Sequence, residues 1–300
     1  MKTFVIVFSI FLFLSNGINA QNGSVDCSQY IKSELLKRDM HYSVYLPEGY
    51  DKSNRSYPVL YLLHGMWDNY TGWVKAGELN RTAGKLIAKG DIPEMIIIMP
   101  DGLTDAFYIN NFDNSVKWED FFYKEFIPQI EKKYRIIDNR NNRAIAGLSM
   151  GGYGSLYHAI THKEMFGTCY ALSAAVLEME PIKDDKRNQF EKTLHTRLWG
   201  PLNTEGYPEN YKKYSVIEIV NAMPPLKQEN QFGNNSALPF ITLDCGDDDF
   251  LLLQNLSLAK VLKEKNIPFN LRIREGAHTW DYWRTNLQYA LKTVGESFRK

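Results

Sequence analysis

Three runs of five to seven residues, almost wholly apolar, end in abrupt turns. Tyr57 to Leu63 enters His64-Gly65, Met95 to Met99 enters Pro100-Asp101-Gly102, and Arg143 to Gly147 enters Leu148-Ser149. A strand with one wet face alternates; one that is apolar at nearly every position is covered on both faces, as in a parallel sheet. Helical patterns lie between these runs. The clearest is Trp118 to Tyr134, where Phe122, Phe126, Ile130 and Tyr134 recur at every fourth position among charged residues. Upstream, Tyr42 to Leu46 alternates and stops at Pro47-Glu48-Gly49-Tyr50 after a polar stretch. Downstream, strands are predicted at Thr168 to Leu172, Pro239 to Asp244 and Asn270 to Ile273, with a closing helix from Trp283 to Phe298. This order predicts an α/β fold, a doubly wound and mostly parallel sheet with helices on both faces, undivided by linker or internal repeat.

Residues 176–236 break the rhythm. They are rich in Lys, Glu, Asn and Pro, with short apolar groups at Leu198-Trp199-Gly200 and Val216 to Val220. The stretch is too small and too polar for a separate domain, and insertions after the strands of an open α/β sheet lie at its carboxyl edge, where ligands bind. It is therefore expected to shape the substrate mouth.

The first 20 residues carry one charge, Lys2, then the apolar run Phe4 to Leu14 and a polar stretch ending at Ala20. This pattern predicts a secretory signal covering 1–20 and a single catalytic domain over 21–300. An uncleaved anchor is the alternative, but eleven residues fall short of the ~20 that span a bilayer. Export to the periplasm or beyond, without stable membrane insertion after cleavage, is the expectation. Without the leader the chain has 34 basic and 35 acidic residues, so it carries no electrostatic footprint for nucleic acid. Three cysteines, Cys27, Cys169 and Cys245, cannot build a disulfide framework, and the last two read as small buried apolar residues.

Gly147-Leu148-Ser149-Met150-Gly151 matches G-x-S-x-G between a predicted strand and the helix start Gly151-Gly152-Tyr153-Gly154. A nucleophilic serine must be pushed out on a strained strand-to-helix turn, and flanking glycines relieve the crowding. A phosphate loop is the other reading, but no Lys follows the glycines. Serine needs a histidine as general base, and the histidine needs a carboxylate. Six histidines are available. His41 precedes a strand nucleus, His64 sits in a His-Gly turn and His195 falls in the insertion. His158 and His162 are four apart and invite a zinc reading, but Ala159 stands where a metalloprotease helix carries Glu, so they read as helix-face residues. His278 follows the last predicted strand and the turn Glu275-Gly276-Ala277, where the order Ser, acid, His places the base. The acid is expected in Asp244-Cys245-Gly246-Asp247-Asp248-Asp249, where spacing alone does not choose among four carboxylates. For the oxyanion, the amides of Met150 and Met66 are the natural donors. Trp67, Trp73, Tyr108 and Trp280 are aromatic residues that can stack on a sugar or phenolic ring, or serve as core and rim.

Taken together, these pieces resemble the esterase D and feruloyl esterase group of α/β-hydrolases, whose exported members include acetylxylan and feruloyl esterases and bacterial mycolyltransferases. The resemblance runs from about Tyr42 to the C-terminus. It rests on Tyr45 to Tyr50, Leu63-His64-Gly65 with Trp73, Met99 to Gly102, Gly147 to Gly152, Asp244 to Leu251, and Gly276-Ala277-His278-Thr279-Trp280. In that pattern the acid is the third residue after the glycine, which implies Asp249, with Asp248 one residue away as the reserve. The resemblance implies ester hydrolysis through an acyl-enzyme on Ser149, with His278 as base, Asp249 orienting it and no metal or cofactor. Its implied substrates are acetyl or feruloyl esters on xylan fragments, with Trp280, Trp67 and Tyr108 as candidate contacts. An acyltransferase using the same three residues, or a binding module on a hydrolase scaffold, are the alternatives.

Overall fold

The computed structural model describes residues 23–178, 181–182, 189–227 and 238–299; the expected leader lies outside these residues. Eight strands form one sheet among them. They are β1 (Ser24–Ser33), β2 (Arg38–Leu46), β3 (Val59–Leu63), β4 (Ile96–Pro100), β5 (Arg143–Leu148), β6 (Thr168–Leu172), β7 (Phe240–Gly246) and β8 (Phe269–Arg274). Their order is β1-β2-β4-β3-β5-β6-β7-β8; β1 and β2 are antiparallel and the rest parallel. The helices are α1 (Gly72–Lys75), α2 (Leu79–Ala88), α3 (Trp118–Phe121), α4 (Ile127–Lys133), α5 (Met150–Thr161), α6 (Gln189–Trp199), α7 (Tyr211–Tyr214), α8 (Val216–Ala222), α9 (Leu252–Glu264) and α10 (Trp280–Ser297). This is the expected doubly wound α/β-hydrolase arrangement.

The unbroken apolar runs are explained by two cores. Val59, Tyr61 and Leu63 of β3, with Ile96 and Ile98 of β4, face a layer that includes Phe122, Phe126, Leu156 and Leu262. Leu60, Leu62, Ile97 and Met99 face the opposite layer, with Trp73, Leu86, Leu287 and Leu291. Successive side chains point to opposite faces, so a strand buried twice must be apolar at both parities. Cys169 and Cys245 are buried and free, as expected, and Cys27 is half-buried and free.

Two elements depart from the sequence expectation. The stretch before Arg38 is a strand: β1 pairs along the exposed flank of β2, with an irregularity between Asp26 and Gln29 where the Asp26 carboxylate accepts from the Ser28 amide at 2.7 Å. An edge strand buries little and so shows little hydrophobic pattern. The helix expected from Trp118 to Tyr134 is continuous in direction but changes winding, with a π turn at Phe122–Phe126 between α3 and α4. Pro128 has no N–H to return to the preceding turn, and the wider turn before it accommodates the missing bond. The aromatic stripe survives this change, with Phe122 stacked on Trp118 at 4.8 Å and edge-on to Tyr61 at 5.5 Å.

The described part of the insertion lies over loops at the carboxyl ends of β3 and β4. Phe190 of α6 meets Trp67 at 5.9 Å, Arg197 pairs with Asp105 at 2.9 Å, and Trp199 packs edge-on against Phe107. Phe122→Ala should therefore cost about 3–5 kcal/mol in chemical denaturation, whereas Phe250→Ala, at an exposed side chain, should stay within about 0.5 kcal/mol. Equal losses for the two would show that the aromatic layer is not the stabilising core.

Candidate active site

β5 runs into α5 through Ser149, whose backbone sits at φ 53° and ψ −116°. A non-glycine residue holds that conformation only where its surroundings over-determine it. Here they do. A Cβ on Gly147 would lie 2.4 Å from the Gly151 carbonyl oxygen, and one on Gly151 would lie 2.5 Å from the His64 carbonyl oxygen. The two glycines let the strand end, the helix start and the loop after β3 approach to backbone contact, and that approach pushes Ser149 outward.

Ser149 Oγ lies 2.9 Å from His278 Nε2, and His278 Nδ1 lies 2.9 Å and 3.0 Å from the two oxygens of Asp249. With an ionised Asp249 accepting from Nδ1–H, Nε2 is left as an acceptor aimed at the serine hydroxyl. Asp249 is buried, whereas Asp247 and Asp248 are exposed. Asp247 accepts from the Gly276 amide at 2.9 Å, and the Asp248 amide donates to the Gly276 carbonyl at 3.0 Å, which ties the acid loop to the histidine loop. Asp244, at the end of β7, accepts from Tyr170 and Tyr282, each at 2.5 Å, and from Arg274 at 3.2 Å. It thereby anchors α10 to the sheet. Of the four carboxylates left open by spacing, Asp249 is the one that hydrogen-bonds His278.

Burial pushes the Asp249 carboxyl up, but hydrogen bonds from His278, the Ser173 hydroxyl and the Leu251 amide outweigh it and hold it below the usual range. Ser173 also accepts from the Trp283 indole at 3.1 Å. Sequence reasoning passed over Ser173; its signal was a polar residue directly after an otherwise apolar strand. It also passed over Phe250, three-quarters exposed and 4.6 Å from the His278 ring, which Trp283 meets edge-on at 4.9 Å from the other element.

The Gly65-Met66 loop lies against the elbow, since a Cβ on Gly65 would be 3.6 Å from Ser149 Cβ. The amides of Trp67 and Asp68 donate to Thr104 and Gly65, and Met150, as the first residue of α5, has no carbonyl one turn back to receive its N–H. His64 braces this loop: Nδ1 lies 2.7 Å from the Gly65 carbonyl and Nε2 accepts the Gly102 amide at 2.8 Å. Tyr108 was a candidate substrate contact, and that reading is corrected. It is fully buried, edge-on to Trp118, and its hydroxyl donates to the His64 carbonyl at 2.7 Å, so it supports the loop from beneath. Trp280 is half-buried, packed edge-on against Trp73 and Trp283, while Trp67 stays largely open to solvent. Trp73 is core, its indole donating to the Leu63 carbonyl at 2.9 Å. His41, on β2, stacks on Tyr70, and His195 lies on Trp199.

The Esterase family model matches residues 33–294. The chain belongs to the Esterase family. An acetyl esterase of Caldicellulosiruptor saccharolyticus is 27% identical over 250 residues, covering 82% of this chain and 86% of that one. An endo-1,4-beta-xylanase/feruloyl esterase of Xylanibacter ruminicola is 38% identical over 150 residues, 48% of this chain but only 21% of that longer protein. Among solved structures, a ferulic acid esterase superposes with a TM-score of 0.76 at 32% identity, covering 92% of this chain and 99% of that one. These relatives support ester hydrolysis as the activity of this family member.

Asp249→Asn should lower turnover of a simple ester by about 10⁴-fold while Asp248→Asn and Asp247→Asn cost little. A larger loss at Asp248 would assign the acid one residue earlier. Because the Asp249 carboxyl is held below the usual carboxylate range, the part of the activity that depends on its charge should be kept as pH falls through that range and lost only below it. Activity in the wild type that falls with the titration of an ordinary exposed carboxylate, and the same fall in Asp247→Asn and Asp248→Asn, would show that Asp249 is not held ionised by its hydrogen bonds.

Proposed function

We propose that this esterase is an exported serine hydrolase that cleaves acetyl or feruloyl esters on plant xylan fragments through an acyl-enzyme. The observation that carries the reading is the hydrogen-bonded chain from Ser149 through His278 to the buried Asp249. In the proposed reaction Ser149 Oγ attacks the ester carbonyl as His278 Nε2 takes its proton, and Asp249 stabilises the imidazolium. The amides of Met66 and Met150 hold the oxyanion, preorganised by the His64 brace and the start of α5. Collapse expels the alcohol, which takes the proton from His278. Water then enters, gives a proton to His278 and releases the acid, restoring Ser149. No step needs a metal or cofactor.

Support for the substrate class comes from the names of the relatives and from the rim. Phe250, Trp67 and Phe190 are exposed aromatic rings on three different segments, and flat apolar faces suit sugar and phenolic rings. The apolar run at residues 4–14 supports export, and none of the described helices is long and apolar enough to cross a membrane. The purified protein should be assayed on acetyl, butyryl and feruloyl esters, free and carried on xylo-oligosaccharides. Xylan-borne acetyl or feruloyl esters should give the highest kcat/KM, and Ser149→Ala should abolish all turnover without lowering the melting temperature. Residual turnover in Ser149→Ala, or a preference for long acyl chains on non-carbohydrate alcohols, would reject the proposal.

A further inference from the structure

We propose that Glu119, His158 and His162 form a divalent-cation site, suited to zinc, that clamps the start of α3 to the far end of α5. His158 lies in the last turn of α5, and His162 caps the helix one turn on, its amide donating to the His158 carbonyl at 2.9 Å. No glutamate follows His158 in sequence, but Glu119 arrives from α3, and one ligand atom from each of the three lies within 4.8 Å of the others.

Each donor is aimed and backed. His158 is fully buried, and its Nε2–H donates to the Tyr108 carbonyl at 2.9 Å. This leaves the Nδ1 lone pair directed at the cluster, where the Tyr123 hydroxyl occupies it at 3.1 Å. His162 Nε2 lies 2.7 Å from Glu119 Oε1, while its Nδ1 lies 3.9 Å from Glu164. The second oxygen of Glu119 accepts from Tyr157 at 3.4 Å. A ring N–H held by a backbone carbonyl, and carboxylates or hydroxyls behind the other ligands, are the outer contacts that orient metal-binding side chains.

Two imidazoles and one carboxylate favour zinc, cobalt or nickel over magnesium or calcium, which prefer oxygen alone. Bonds of ~2.0–2.2 Å need the three atoms drawn around one centre. The partly exposed His162 and Glu119 can rotate to admit an ion that replaces the Tyr123 and His162 hydrogen bonds, with water completing the shell. The ion would not touch the reacting atoms, since His158 is nine residues beyond Ser149, ~13 Å along the helix. It is also unlike a protease zinc: Ala159 leaves no adjacent general base. Its link to the esterase site is mechanical, through Tyr108, which carries both the carbonyl held by His158 and the hydroxyl holding the loop at His64.

The test is titration of the chelator-stripped full-length protein with zinc chloride by calorimetry, and with cobalt chloride by visible absorption. Wild type should bind one equivalent, show ligand-field bands of a low-coordinate nitrogen and oxygen site, and gain melting temperature with zinc. Glu119→Gln and His162→Ala should each weaken binding by at least ~10-fold, yet keep ester turnover within about twofold, which certifies that they are folded. Absence of saturable binding in the wild type, or unchanged affinity in either folded variant, overturns the site. Because turnover is read separately on stripped protein, failure here is distinct from failure of the esterase reading.

Discussion

The close approach of three backbone segments at Ser149 is the constraint on which the rest depends. Gly147, Gly151 and Gly65 each stand where a Cβ would strike a neighbouring main chain or strand residue, at Gly151, His64 and Leu148 respectively. Their contact fixes the end of β5, the start of α5 and the loop after β3 in one unit. A positive φ at Ser149 is the residual strain, and it is held because all three segments would have to move to relieve it. The hydroxyl is thus presented, and the loop carrying Met66 is set beside it, before any substrate arrives.

Around this unit the polar groups are satisfied in a chain. Burying a carboxylate is costly unless it is paired and hydrogen-bonded, and Asp249 has His278, Ser173 and the Leu251 amide. Trp283 then links Ser173 and the His278 ring, so the imidazole is positioned from both the end of β6 and α10. On the other side, His64 joins the loops after β3 and β4, and Tyr108 passes that connection down to His158 in the last turn of α5. The proposed cation cluster sits at the lower end of the same connection. The site's rigidity therefore comes from elements on both faces of the sheet.

Much of this was legible in the chain because it is repeated in local chemistry. Apolar runs of both parities announce strands buried twice; glycines around a serine announce a crowded turn; a histidine after the last strand is in reach of that turn in any sheet with this order. Edge strand β1 left almost no trace, since a strand with one partner and one wet flank has no hydrophobic pattern to maintain. Trp118 to Tyr134 showed its periodicity but not its π turn, because Pro128 is compatible with either a kink or a widened turn and only packing chooses.

The sequence by itself determined the α/β architecture and the crowded turn at Ser149, which follow from residues a few positions apart, and the order of its elements put His278 after the last strand. Tertiary structure alone decided the rest, because it depends on which loops meet. Asp249 rather than Asp248 faces the imidazole through the docking of Asp247 and Asp248 onto Gly276. Tyr108, an aromatic indistinguishable in sequence from a substrate contact, lies beneath the His64 loop with its hydroxyl already committed. Glu119 meets His158 and His162 only after α3 has packed across α5, a contact between residues about forty positions apart that no local pattern encodes.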